Sequence, residues 1–104
     1  MKFCQVCTSL SDSKKASEMA RESINRKLAF CCWIRPKHVA LYTWEGEFCE
    51  ESEYEILFKT NSVNIEQLTA FIRDMHPYEA PYIATFQGEL LHDDYARWAE
   101  TNVS

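Results

Sequence analysis

The sequence predicts an α+β domain. Two amphipathic helical patterns alternate with short apolar, β-prone runs, and turn residues separate the runs at hairpin spacing. No segment repeats and none is of low complexity. The 104 residues fit a single domain, 1–104. A chain this long buries roughly 60–70% of its unfolded surface, enough for a core without staples.

Residues 2–9 read as a first strand, short and β-prone. Ser11, Asp12 and Ser13 are able to cap a helix over 13–28, in which Ala16, Met19, Ala20, Ile24 and Leu28 keep helical spacing. Residues 29–34 form an unbroken apolar run, which predicts a strand buried on both faces. Pro36 interrupts it and predicts a bulge or an edge. Strand character resumes from Val39 to Trp44, and Glu45-Gly46 marks a hairpin turn. A third strand follows over 52–60. Asn64 with Gln67 suggests a capping box for a second helix through Ile65, Leu68, Phe71, Ile72 and Met75, which Pro77 ends. Residues 83–87 are a fourth strand, with Pro81 just before it. Asp93 or Asp94 is placed to cap a last short helix containing Tyr95, Trp98 and Ala99.

With right-handed crossovers this order gives a split βαβ, or ferredoxin-like, sandwich of βαββαβ plus a C-terminal helix. Helices cover one sheet face. The other face carries aromatics and is left bare, which predicts burial against further copies through sheet packing. The aromatic content, 13%, agrees, since Tyr, Trp and Phe are enriched at interfaces.

Composition narrows the partners. The net charge is -5, and no run of Lys and Arg would neutralise a series of phosphates, so nucleic acid and an anionic membrane are excluded as expected partners. No stretch approaches the ~18 apolar residues of a membrane span, and the N-terminal apolar run is too short for a signal peptide. Five cysteines, an odd number, suit a reducing compartment, and a cytoplasmic location is expected.

Several groups could carry chemistry. Cys4 and Cys7 lie three apart on a strand, so they point to opposite faces and read as core residues rather than a metal knuckle. Cys31 and Cys32 also face opposite ways, and at most one of them joins any site. Cys49 falls in the polar hairpin, exposed and without a role. The hairpin glutamates Glu45, Glu47, Glu50, Glu51, Glu53 and Glu55 read as a solvated surface that discourages edge pairing. The densest polar cluster is His76-Pro77-Tyr78-Glu79-Ala80-Pro81. His76 ends a helix, where the dipole favours a cationic imidazole. The two prolines stiffen the turn. The cluster reads either as a helix stop that docks Tyr78 into a subunit contact or as a metal or ligand site. Cys31 with His76 as nucleophile and base is disfavoured, because burial raises a thiol's pKa. There is no complete triad and no cofactor fingerprint, so no enzyme is expected.

The run Leu28-Ala29-x-Cys31, Pro36, Tyr42-x-Trp44-x-Gly46, Lys59-Thr60, His76-Pro77-Tyr78-Glu79-x-Pro81-x-Ile83 and Tyr95-x-x-Trp98 resembles the CutA divalent-cation-tolerance proteins over nearly the whole chain. The resemblance implies a ferredoxin-like homotrimer, tolerance to copper and other divalent ions, zinc among them, and no assigned reaction. It implies Cys31 and His76 as metal ligands, with Glu79 at the acidic position of the signature. Tyr82 stands where the family usually has Glu, and Phe30, Cys32 and Trp33 are bulkier than the usual surroundings of the cysteine. Ala40 stands where Ser is common. The fold is also similar to that of the trimeric nitrogen-regulatory PII proteins, which implies a second possibility. In it an inter-subunit cleft around Tyr42, Trp44, His76 and Tyr78 binds a small metabolite or a partner loop.

Overall fold

The computed structural model describes residues 1–104. In chain order the elements are β1 (Lys2–Leu10), α1 (Ser13–Asn25), β2 (Cys31–Trp44), β3 (Glu47–Thr60), α2 (Ile65–Met75), β4 (Ile83–Glu89) and α3 (Asp93–Thr101). The four strands form one sheet in the order β2-β3-β1-β4, and every pairing is antiparallel. This is the ferredoxin-like arrangement that the element order predicts.

Local signals explain most of the boundaries. The Asp12 side chain accepts from the Lys15 amide and starts α1. That helix stops at Asn25 rather than 28, because Lys27 takes a left-handed conformation, φ 58°. Glu45 and Gly46 both have positive φ, as a two-residue hairpin requires. Pro36 lies in a bulge between Arg35 and His38, and β2 continues through it. The capping box expected at Asn64 is not made. Asn61 caps a short 3₁₀ turn ahead of α2 instead, and the Asn64 amide group donates to Asn61 Oδ1 and the Ser104 carbonyl. His92, not Asp93 or Asp94, caps α3.

One face of the sheet carries the core. Val6, Leu10, Ile56 and Phe58 meet Ala16, Met19 and Ala20 of α1 and Leu68, Phe71 and Ile72 of α2. Cys32 lies at the margin of this core. Burial pushes its thiol up to about 11, against the Ser23 hydroxyl nearby. A second, smaller cluster of Phe30, Ala99 and Val103 seats α3 against Phe3, Cys31 and Leu90. Cys4 and Cys7 are both buried, on opposite faces of β1, as strand geometry predicts. Burial, then Glu55, pushes the Cys7 thiol up.

The opposite face meets no helix except at its Phe3–Cys31 end, where α3 packs, and cross-strand register shows the composition of the rest. Trp33, Leu57, Cys7 and Ala84 form one row across all four strands, and Cys31, Lys59, Gln5 and Phe86 form the next. Trp33 and Phe86 are both about half exposed, at 51% and 56%. The sequence run 29–34 is therefore not buried on both faces within one chain. Only Ala29 and Phe30 are enclosed, because β2 is an edge strand. The Lys59 ammonium lies over the Trp33 ring at 3.6 Å.

The β2–β3 hairpin outruns the sheet. Its pairing extends to Trp44↔Glu47, whereas β1 leaves β3 at Leu10↔Tyr54. The arm gives the molecule a 47 Å long axis. Val39, Leu41 and Phe48 are 60–71% exposed along it.

Gly88 holds a close approach at the start of the sheet. A Cβ there would lie 2.5 Å from the Phe3 ring, which is itself packed edge-on to Phe30. Gly88→Ala is expected to destabilise the chain by about 1–3 kcal/mol in denaturant unfolding, as overpacking does. Combining it with Phe3→Leu should recover part of that loss.

Candidate functional site

The segment after α2 builds the site. His76 caps α2 through its own amide, which donates to the Ile72 carbonyl. Its ring is buried, and both nitrogens are used. The Tyr78 amide donates to Nδ1 at 3.1 Å, so Nε2 carries the proton and donates to the Ser9 carbonyl at 3.0 Å. The imidazole is therefore neutral. Burial lowers its pKa below the ordinary 6.5, against the opposing pull of Ser9 and Glu53. The cationic imidazole expected from the helix dipole is not found, because desolvation outweighs the dipole at this depth.

His76 thus fastens the 76–82 segment to the end of β1, and Thr8 adds a hydroxyl bond to the Tyr82 carbonyl. Tyr78 packs edge-on to His76 and reaches across to β3. Its hydroxyl accepts from the Ser11 amide and donates to Glu53 Oε2 at 2.7 Å. The Ser9 hydroxyl donates to Glu53 Oε1. Glu53 is only 5% exposed, so it is not part of a solvated hairpin surface. In the sequence it is one of six similar glutamates, and its partners, Ser9 and Tyr78, lie 44 and 25 residues away. No local signal singles it out.

Around this network an open cavity of about 580 Å³ forms between the hairpin arm and the 76–82 segment. Tyr42, Trp44 and Tyr78 all line it, together with Glu51, Glu53, Glu79 and Tyr82. Burial, then Glu51, pushes the Tyr42 hydroxyl up, while burial pushes up the Tyr78 hydroxyl.

The three residues expected to hold metal are not brought together. Cys31 is half-buried beside the Tyr95 hydroxyl. Through Lys59 it is in register with Gln5, about 13 Å along β1 from the Ser9 carbonyl that His76 holds. Glu79 is exposed at the cavity rim. No three His, Cys, Asp or Glu side chains of the chain are grouped to share an ion. One chain by itself does not fit a metal. Cys49, expected exposed, is half-buried on the arm.

Sheet order, a largely uncovered aromatic face and a clamped turn after α2 define a small ferredoxin-like α+β protein built on a His-Pro-Tyr-Glu turn. Residues 4–102 match the family model described as CutA1 divalent ion tolerance protein. A divalent-cation tolerance protein CutA from Thermococcus kodakarensis is 34% identical over 93 residues, covering 89% of this chain and 88% of the relative. Mouse protein CutA is 33% identical over 87 residues, and the matched part is 84% of this chain but 49% of the mouse protein. The chain thus matches about half the length of that relative. Among solved structures, CutA1 from Pyrococcus horikoshii superposes with a TM-score of 0.90 at 27% identity, covering 97% of this chain and 98% of that one. The chain belongs to the CutA1 divalent ion tolerance family. No helix of it is long and apolar enough to cross a membrane.

Proposed function

We propose that this chain acts in divalent-cation tolerance as a homotrimer that catalyses no reaction, and that it binds a copper-type ion or zinc between copies. The carrying observation is the bare sheet face. Trp33 and Phe86 are half exposed at the two edges of the face, and a sister sheet is the natural cover for such a surface. Because Cys31 and Glu79 lie toward opposite ends of one chain's sheet, a shared ion would take its thiolate from one copy and its carboxylate from another. His76 acts as the clamp that sets the Glu79 loop, since neither ring nitrogen has a free lone pair. Five unpaired cysteines suit a reducing compartment, and we place the protein in the cytoplasm.

The test is a competition titration with Cu(I) and Zn(II) on protein of measured oligomeric state. Cys31→Ala and Glu79→Gln are each expected to weaken binding roughly tenfold or more. His76→Gln should leave affinity near wild type while lowering stability. Binding no tighter than scattered surface carboxylates provide would overturn the metal reading.

The cavity between the arm and the 76–82 segment favours a second reading, in which the trimer is a PII-like signalling or scaffold module that binds a small metabolite there. Its volume falls in the range of small-molecule sites, and Tyr42, Trp44 and Tyr78 line it.

A further inference from the structure

We propose that this cavity recognises an organic cation, a small molecule bearing an alkylammonium group. The proposal rests on the second reading above, that the cavity takes a ligand, and it names the chemistry of that ligand. Three features carry it. The walls are aromatic: Tyr42, Trp44 and Tyr78 line the cavity, and an ammonium group is attracted by the quadrupole of such rings. The charge is all of one sign: Glu51, Glu53 and Glu79 line the cavity, and no Lys, Arg or His does. A phosphate or carboxylate ligand would meet only repulsion there.

The third feature is Glu53 itself. It is 95% buried by difference from its 5% exposure, yet its oxygens meet only the neutral hydroxyls of Ser9 and Tyr78. The nearest basic atom, His38 Nε2, lies 4.0 Å away on a side chain 43% exposed. A buried carboxylate without a close counter-charge is costly, and a cation entering the cavity relieves that cost. A bare divalent ion fits less well. It needs several converging oxygens, and both Glu53 oxygens are already bound to hydroxyls, with no third ligating group beside them. An alkylammonium needs only ring faces and a nearby negative field.

The experiment uses the full chain in its native oligomeric state and compares choline with its neutral isostere 3,3-dimethyl-1-butanol by calorimetry, with ATP as an anionic probe. Choline is expected to bind on the order of tenfold tighter than the isostere, with ATP not binding. Trp44→Leu and Glu51→Gln, both on exposed positions of the arm, should each weaken choline severalfold without changing the fold by circular dichroism. Equal binding of choline and its isostere, or binding of ATP alone, overturns the cation assignment while leaving the cavity as a ligand site. Failure of all three probes overturns both.

Discussion

If the chain assembles as proposed, replacing Phe86 with Glu is expected to convert the trimer into a folded monomer. Phe86 lies on β4, in register with Gln5 and three strands away from Cys31, on the face opposite α1 and α2. It is 56% exposed in the single chain, so the chain itself loses little by the change. The assembly loses much more. Each copy forfeits the burial of a large aromatic, about 1.5–3 kcal/mol, and three carboxylates are introduced into an apolar contact. Light scattering should show the mass falling from three chains to one, with far-ultraviolet circular dichroism unchanged. Thr85, one residue earlier, faces the helix side of the sheet in register with Val6. If Phe86→Glu leaves the trimer intact, the bare face is not where the copies meet, and a wild-type chain that is monomeric would remove the assembly altogether.

His76→Ala is expected to be the most destabilising change near the site, by about 2–4 kcal/mol. It removes the acceptor of the Tyr78 amide and the donor to the Ser9 carbonyl, and each orphaned group costs about 1–3 kcal/mol when buried. The 76–82 segment loses its anchor to β1, and Tyr78 with it. Unfolding in guanidinium at fixed chain concentration would read the loss, since an oligomer's stability depends on concentration. His76→Gln keeps the donor and should recover part of it. A pH dependence accompanies this. The folded pKa of His76 lies below 6.5, so in the window beneath 6.5 the unfolded chain binds a proton that the folded chain refuses. Stability present above that window is lost as pH falls through it. Wild type should therefore be less stable at the bottom of the window than at pH 7, and His76→Gln should show a smaller difference. A difference that His76→Gln leaves unchanged would assign it to other groups.

Much of this was legible before any coordinates. Period and turn residues placed all four strands and the three helices, and Pro36 announced the bulge in β2. Legibility failed where the deciding contact is distant. Asn64 looks like the cap of α2, but Asn61 and the C-terminal Ser104 claim its side chain. His76 looks cationic from its place at a helix end, but its Nδ1 accepts from the Tyr78 amide and burial lowers its pKa. Of the cleft residues expected from the PII likeness, Tyr42, Trp44 and Tyr78 line one cavity within the chain and His76 does not, while Glu53 could not be distinguished from its neighbours on the hairpin.

The sequence by itself determined the element order, the fold class and, through the His-Pro-Tyr-Glu signature, the family, because these depend on local periodicity, turn chemistry and residue identity. Only the tertiary structure decided that Glu53 is buried with no Lys or Arg paired to it, that His76 spends both nitrogens on backbone groups, and that Cys31 and Glu79 are kept apart in one chain. Burial, charge compensation and the partner of a polar atom are set by residues far away along the chain, and no local pattern encodes them.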